Sequence, residues 1–326
     1  MLGSGTTIVT PGACPPLSSP APAAAALSRG QAGSLLAAIV LLWGVNWPLM
    51  KIGLADMPPL WFSTARMGMG AVVLFAVLAA TRRLAWPTRR DWPIVISVSL
   101  LMMVVYVGAI NLAMPYVTAG RSVVLCYTTP LWVAPGAALF LGERITPRRL
   151  AGLGCGLAGL VVLFNPLAFD WHDHAVVGGN VTLLLGALAW AASILHTRGH
   201  RWHQTPLQLT PWQMVIAAAL LAIAAALLEH GQATRWTPRL LAILAYNGPI
   251  ATAFCFWAAA TVSRALPAIT VSLGFLLVPV AGVGAATLML GEPLDASLIG
   301  GFALILGGLA LVHLGDLRRR PGTAPG

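Results

Sequence analysis

Apolar positions along this chain form long unbroken stretches separated by short polar breaks. A helix needs about 20 such residues to cross the hydrocarbon core of a bilayer. Ten stretches of this kind follow one another: 33–52, 60–80, 93–113, 118–141, 149–166, 177–197, 212–229, 239–260, 268–290 and 297–315. The third and fourth are parted only near Met114-Pro115, the eighth and ninth only near Leu266-Pro267. The stretches are continuous rather than alternating, which predicts helices and argues against a transmembrane β-barrel. Residues 1–32, around "CPPLSSPAPAAAALSRG", have the low-complexity composition of a disordered tail. No basic region precedes an apolar core there, so the tail does not read as a signal peptide.

Composition agrees with the pattern. Of 326 residues, 58% are hydrophobic and 9% charged, and the mean hydropathy is +0.83. Soluble domains carry about 25% charged residues, so the fold class expected is an all-α polytopic membrane protein. The net charge of +10 would suggest nucleic acid in a soluble protein. In a membrane protein it is the excess that cytoplasmic loops carry, and no nucleic-acid partner is expected. With both termini inside, Arg29, Arg82, Arg83, Arg89, Arg90, Arg144, Arg148, Arg149, Arg198, Arg201, Arg264, Arg318, Arg319 and Arg320 are cytoplasmic, fourteen of the nineteen cations. Lys51, Arg66, Arg121, Arg235 and Arg239 remain for the other side. Cys14, Cys126, Cys155 and Cys255 show no CxxC spacing and read as small apolar residues, with neither disulfide nor metal.

The chain also repeats itself. Residues 117–143, "VTAGRSVVLCYTTPLWVAPGAALFLGE", align without a gap on 266–292, "LPAITVSLGFLLVPVAGVGAATLMLGE", at an offset of 149. Pro130 meets Pro279, Glu143 meets Glu292, and the same offset pairs Gly152 with Gly301 and Gly159 with Gly308. Near the start of each half Trp43 matches Trp190. Five spans per half, an odd number, turn the second half upside down in the membrane. The loops agree, since "GERITPRR" is basic and its partner "GEPLDA" is not. The domains expected are a tail at 1–32, five-helix repeats at 33–166 and 175–316, and a basic cytoplasmic tail at 317–326. Inverted repeats around a midplane site are a transporter architecture.

The tryptophan-rich first span "LLWGVNWPLMK", Arg66 early in the second, and the two Leu-Gly-Glu segments, each followed by a glycine-spaced helix, resemble the EamA family of the drug/metabolite transporter superfamily. The resemblance covers about 33–316. It implies a ten-helix 5+5 fold that moves small organic solutes, amino acids or related metabolites, often outward. It leaves the solute unnamed.

Candidate chemistry lies where polar or aromatic groups enter the spans, because such groups are costly against lipid. Trp43, Asn46 and Trp47 share one helix side with Met50, and the repeat sets Trp190 and Ser193 opposite Trp43 and Asn46. These five are expected to line a central cavity, the alternative being an interfacial aromatic belt. Tyr106, Asn111, Tyr127, Asn247, Thr252 and Trp257 are further cavity candidates, with interhelical hydrogen bonding as the alternative. Pro130 and Pro279 predict matched kinks. Lys51, Arg66 and Arg121 read as outer cations, either snorkelling or forming a vestibule for an anionic group. Glu143 and Glu292 end their helices where the dipole disfavours a carboxylate, so each needs a partner and reads as a loop anchor.

The "DWHDH" loop (Asp170, His172, Asp173, His174) and the run His196, His200, His203 read as solvated loop groups, with no metal site. No cofactor is expected. HExxH, GxSxG and paired deep carboxylates are absent from the sequence, which argues against an intramembrane enzyme. A channel or sensor has no need of two inverted halves. The expectation is an inner-membrane solute exporter working by alternating access in contact with lipid, and compatible with a homo-oligomer.

Overall fold

The computed structural model describes residues 28–142, 146–164, 171–200, 203–266, 271 and 274–317. The N-terminal tail up to residue 27, Glu143, Arg144, Asp170 and the C-terminal basic run lie outside the described residues. Every regular element described is helical, in ten rods. They are α1 (Arg29–Gly53), α2 (Pro59–Ala80), α3 (Trp92–Ala113), α4 (Ala119–Leu141), α5 (Pro147–Phe164), α6 (His174–Gly199) and α7 (Pro206–Leu228). Then come α8, built from Pro238–Ala245, Tyr246–Phe254 and Cys255–Ala265, with α9 (Leu277–Leu290) and α10 (Ala296–Leu317). By length and composition seven can cross a membrane, α1 to α4 and α6 to α8, while α5, α9 and α10 supply shorter apolar helices.

The ends follow from local chemistry. Ser28 and Gln31 form a capping box that starts α1 at Arg29, a turn before its apolar run. Thr205 and Gln208 do the same for α7, which therefore begins at Pro206 rather than near 212. Thr118, Asp173 and Thr237 cap α4, α6 and α8 through their side-chain oxygens. Helices α4 and α9 both end on a left-handed glycine, Gly142 (φ +67°) and Gly291 (φ +65°), a conformation that a Cβ would strain.

Two departures from α geometry matter for the site. Residues Val98–Tyr106 of α3 and Tyr246–Phe254 of α8 are π-helical, 148 residues apart in register. Helix α4 breaks at Tyr127-Thr128, so Pro130 stands in the first turn of the piece Thr129–Leu141. Pro279 likewise sits in the first turn of α9, after Leu276.

Packing pairs α1 with α9 and α4 with α6, α3 with α6 and α1 with α8, α2 with α8 and α3 with α7, then α2 with α7 and α5 with α10. Exchanging each helix for the one five places along returns the same pairs. Helices α5 and α10 approach through glycines. A Cβ on Gly159 would come within 2.7 Å of the Gly301 carbonyl, and one on Gly308 within 2.5 Å of the Gly152 carbonyl.

Candidate functional site

The interior opens into a cavity of about 100 Å³ where α1, α2, α3, α4, α6 and α8 meet. Helix α1 contributes Trp43, Asn46, Trp47 and Met50, the single face that its 3.6-residue repeat predicts. Helix α2 adds Arg66 and Met67, and the π-helical stretch of α3 adds Met102, Met103 and Tyr106. Tyr127 enters at the break in α4, Trp190 from α6 and Phe256 from α8. The volume is below the roughly 300–1,000 Å³ of drug-sized sites. A larger depression of about 520 Å³ runs along α2 from Thr64 to Val73 beside Pro249. Its lining is apolar apart from Thr64.

The walls are aromatic. Tyr106 lies against Trp190 at 4.7 Å between centroids, and Tyr127 meets Trp190 edge-on at 6.3 Å. Trp43 packs on Phe256 and Phe275 at 6.2 and 5.6 Å, and its indole N–H donates to the Ala251 carbonyl at 2.9 Å. The polar part is smaller. Asn247 Nδ2 donates to Asn46 Oδ1 at 2.7 Å, joining α8 to α1. Asn247 Oδ1 is buried without a hydrogen-bond partner among the described residues.

Arg66 is the charge of the site. It is 8% exposed, its Nε donates to Thr252 Oγ1 at 2.9 Å, and Nη1 approaches Met50 Sδ at 3.2 Å. Among the described residues no carboxylate lies within ion-pair distance of it. A buried charge lacking a counter-ion is costly, and here the guanidinium faces a cavity where an anion can meet it.

Several sequence expectations are relocated. Arg66, read from the sequence as an outer cation, is buried with its Nε on Thr252 of α8 and lines the cavity. Lys51 donates to the Val117 carbonyl at 2.7 Å and stands 3.7 Å from Glu292. Arg121 Nε donates to Asn180 Oδ1 at 3.0 Å. These two cations tie helices together outside the cavity lining. Asn111 donates to Ser63 Oγ at 2.6 Å, bonding α3 to α2. Ser193 is buried outside the lining, and Trp257 is 37% exposed beside Phe254. Phe256 lines the cavity in its place, since the preceding π turns shift the helical phase of α8.

Glu292 accepts from the Ala119 and Gly120 amides at 2.7 and 2.8 Å, capping α4 from outside. Glu229, unremarked in the sequence, caps α2 through the Leu60 and Trp61 amides at 2.8 and 3.1 Å. Its sequence signal is a lone acid at the end of an apolar run. Asp56 pairs with Arg235 and Arg239 at 3.1 and 2.7 Å. The Arg239 guanidinium holds its carboxyl below the usual carboxylate range, against the opposing effect of burial. His172 and His174 are exposed, but His174 is the first residue of α6 and Asp173 its cap rather than loop. His200 is not: it contacts the fully buried Asp91, as does His203.

Comparison with known proteins agrees with this architecture. The EamA-like transporter family matches residues 31–165 and again 177–314. "Uncharacterized transporter YoaV" of Bacillus subtilis is 29% identical over 282 residues, covering 86% of this chain and 96% of that protein. "Probable amino-acid metabolite efflux pump" of Escherichia coli is 26% identical over 303 residues, covering 90% and 98%. "Probable terminal-alkyne amino-acid exporter" of Streptantibioticus cattleyicolor is 28% identical over 298 residues, covering 88% and 95%. A solved structure described as "Crystal structure of protein" superposes with a TM-score of 0.62 at 24% identity, over 89% of this chain and 99% of that one, a likeness of fold alone. Two family matches spanning nearly the whole helical region, on a multi-pass apolar bundle, make this a membrane transporter and not an enzyme: the chain belongs to the EamA-like transporter family.

Proposed function

We propose that the protein exports carboxylate-bearing small organic solutes, amino acids or their derivatives, across the cytoplasmic membrane by alternating access around the Arg66 cavity. The carrying observation is a buried guanidinium without a carboxylate partner among the described residues, set within aromatic walls. A solute carboxylate would meet the remaining N–H groups of Arg66 in a charge-assisted contact. An ammonium on the same solute would lie against the faces of Trp43, Trp190 or Tyr106, a cation–π contact of about 0.5–2 kcal/mol.

In this reading the molecule has ten spans in two five-helix halves of opposite orientation, with both termini cytoplasmic. Support comes from the packing pairs that recur under a five-helix exchange, the π-helical stretches in matching register, the matched left-handed glycines and the arginine bias of the loops. The breaks before Pro130 and Pro279 serve as the hinges of the two halves. The relatives described as amino-acid efflux proteins agree with the solute class and the direction.

The test is transport by purified protein in proteoliposomes, using a panel of amino acids and their amides, for wild type and Arg66→Gln. Carboxylate solutes should be preferred by wild type, and Arg66→Gln should reduce that preference tenfold or more at unchanged folding. Equal handling of acid and amide by both proteins would overturn the assignment.

A further inference from the structure

Among the described residues, one cluster of metal-ligating side chains lies outside the transport cavity. Asp91 stands just before α3, His200 just after α6 and His203 just before α7. His200 Nε2 is 3.2 Å and His203 Nδ1 3.4 Å from the same oxygen, Asp91 Oδ1. One donor atom from each residue lies within 4.8 Å of the others.

Two of the three donor–donor edges have the length found in a coordination shell. Zinc binds imidazole nitrogen and carboxylate oxygen at about 2.0–2.1 Å in a tetrahedron, and the edges of such a tetrahedron are about 3.3–3.4 Å. An ion seated between the donors would replace the His200 Nε2–Asp91 Oδ1 hydrogen-bond contact. Charge supports the same reading. Asp91 is 0% exposed, and a buried carboxylate is stabilised by positive charge, which a divalent ion brings.

The surroundings are those of a built site. Thr88 Oγ1 donates to Asp91 Oδ2 at 2.7 Å, and the His203 amide donates to Oδ1 at 3.2 Å, which orients the carboxylate from behind. The His203 side chain is 35% exposed, giving an ion a path in from solvent and leaving a coordination position for water.

We propose that Asp91, His200 and His203 bind a divalent transition-metal ion, zinc foremost, which clamps the α2–α3 connection to the α6–α7 connection. The ligands come from both sides of the chain midpoint, so a bound ion joins segments that the separate halves contribute.

The test uses the full chain, free of any histidine tag, in detergent, with Zn²⁺ or Co²⁺ as the only added ligand. Equilibrium dialysis with elemental analysis should find one Zn²⁺ per chain, removable by a chelator. Co²⁺ should give the visible absorption of a four-coordinate N/O site. His203→Gln, at a part-exposed position, should weaken Zn²⁺ at least tenfold. Thr88→Ala, which leaves every ligand in place, should weaken it about 10–100-fold as the loss of an orienting partner does. The exposed double variant His172→Gln/His174→Gln should bind as wild type does. Absence of stoichiometric Zn²⁺ on the wild-type protein would overturn the proposal, as would wild-type affinity in His203→Gln or loss of binding in the His172/His174 variant.

Discussion

A guanidinium inside a helical bundle is tolerated only where polar groups meet it, so the partners of Arg66 matter as much as the residue itself. Thr252 accepts its Nε hydrogen bond. Replacing that hydroxyl with a methyl, Thr252→Val, leaves a buried donor unsatisfied, at a cost of about 1–3 kcal/mol. The variant should lower thermal stability in detergent and weaken solute binding, with insertion intact. The aromatic residues separate more sharply. Trp190→Ala removes a wall that holds both Tyr106 and Tyr127, and solute affinity measured by tryptophan-independent binding should fall. Trp257→Ala, at the surface, should leave it unchanged. Equal losses in the two would contradict the lining described above.

Among the elements, helix starts are unusually dependent on distant acids. Glu229 closes the first turn of α2 and Glu292 that of α4, from just past the ends of α7 and α9. Free amides at a helix N-terminus combine with the dipole to favour a carboxylate there. Glu292→Ala strands two partly buried donors and should destabilise the protein by about 1–3 kcal/mol. Glu292→Gln keeps an acceptor but loses the charge, and should cost less. Thermal unfolding in detergent orders the three proteins. If alanine and glutamine prove equivalent to wild type, the cap contributes nothing. Each glutamate also joins segments far apart in the chain, so loosening of the α4 start should appear as faster amide exchange near Ala119.

Across the whole molecule, Asp56 with Arg235 and Arg239 fastens the end of α1 to the start of α8. Its carboxyl titrates below the ordinary carboxylate range because Arg239 stabilises the ionised form. A depressed folded-state value means that the stabilisation is complete above the unfolded value near 3.9 and is lost as pH falls through the lower folded one. Asp56→Asn should therefore unfold at lower temperature than wild type at pH 7, with the gap closing below about pH 4. A gap independent of pH would assign the loss to packing. Orientation is tested on the same scale. In a background without Cys14, Cys126, Cys155 and Cys255, single cysteines at positions 146 and 295 should react from opposite sides of the membrane. Labelling from one side would remove the inverted halves.

What the sequence determined by itself is whatever depends on segment length, polarity and local caps. Bilayer thickness and the cost of charge in hydrocarbon make apolar stretches legible one at a time, so the helices and their order were readable, and the 149-residue repeat with them. Face patterning along one unbroken helix was readable too, and Trp43, Asn46, Trp47 and Met50 share the side of α1 that lines the cavity. Tertiary structure alone decided which segments meet and in what phase. Arg66 sits near the start of α2 in sequence, yet it is buried because α8 passes beside it with Thr252. The π-helical turns brought Phe256 rather than Trp257 inward, a phase change that no 3.6-residue pattern predicts. Capping by Glu229 and Glu292, and the meeting of Asp91 with His200 and His203, join residues about a hundred or more positions apart. Such contacts depend on the relative placement of whole helices, and that information is carried by packing rather than by any local run of residues.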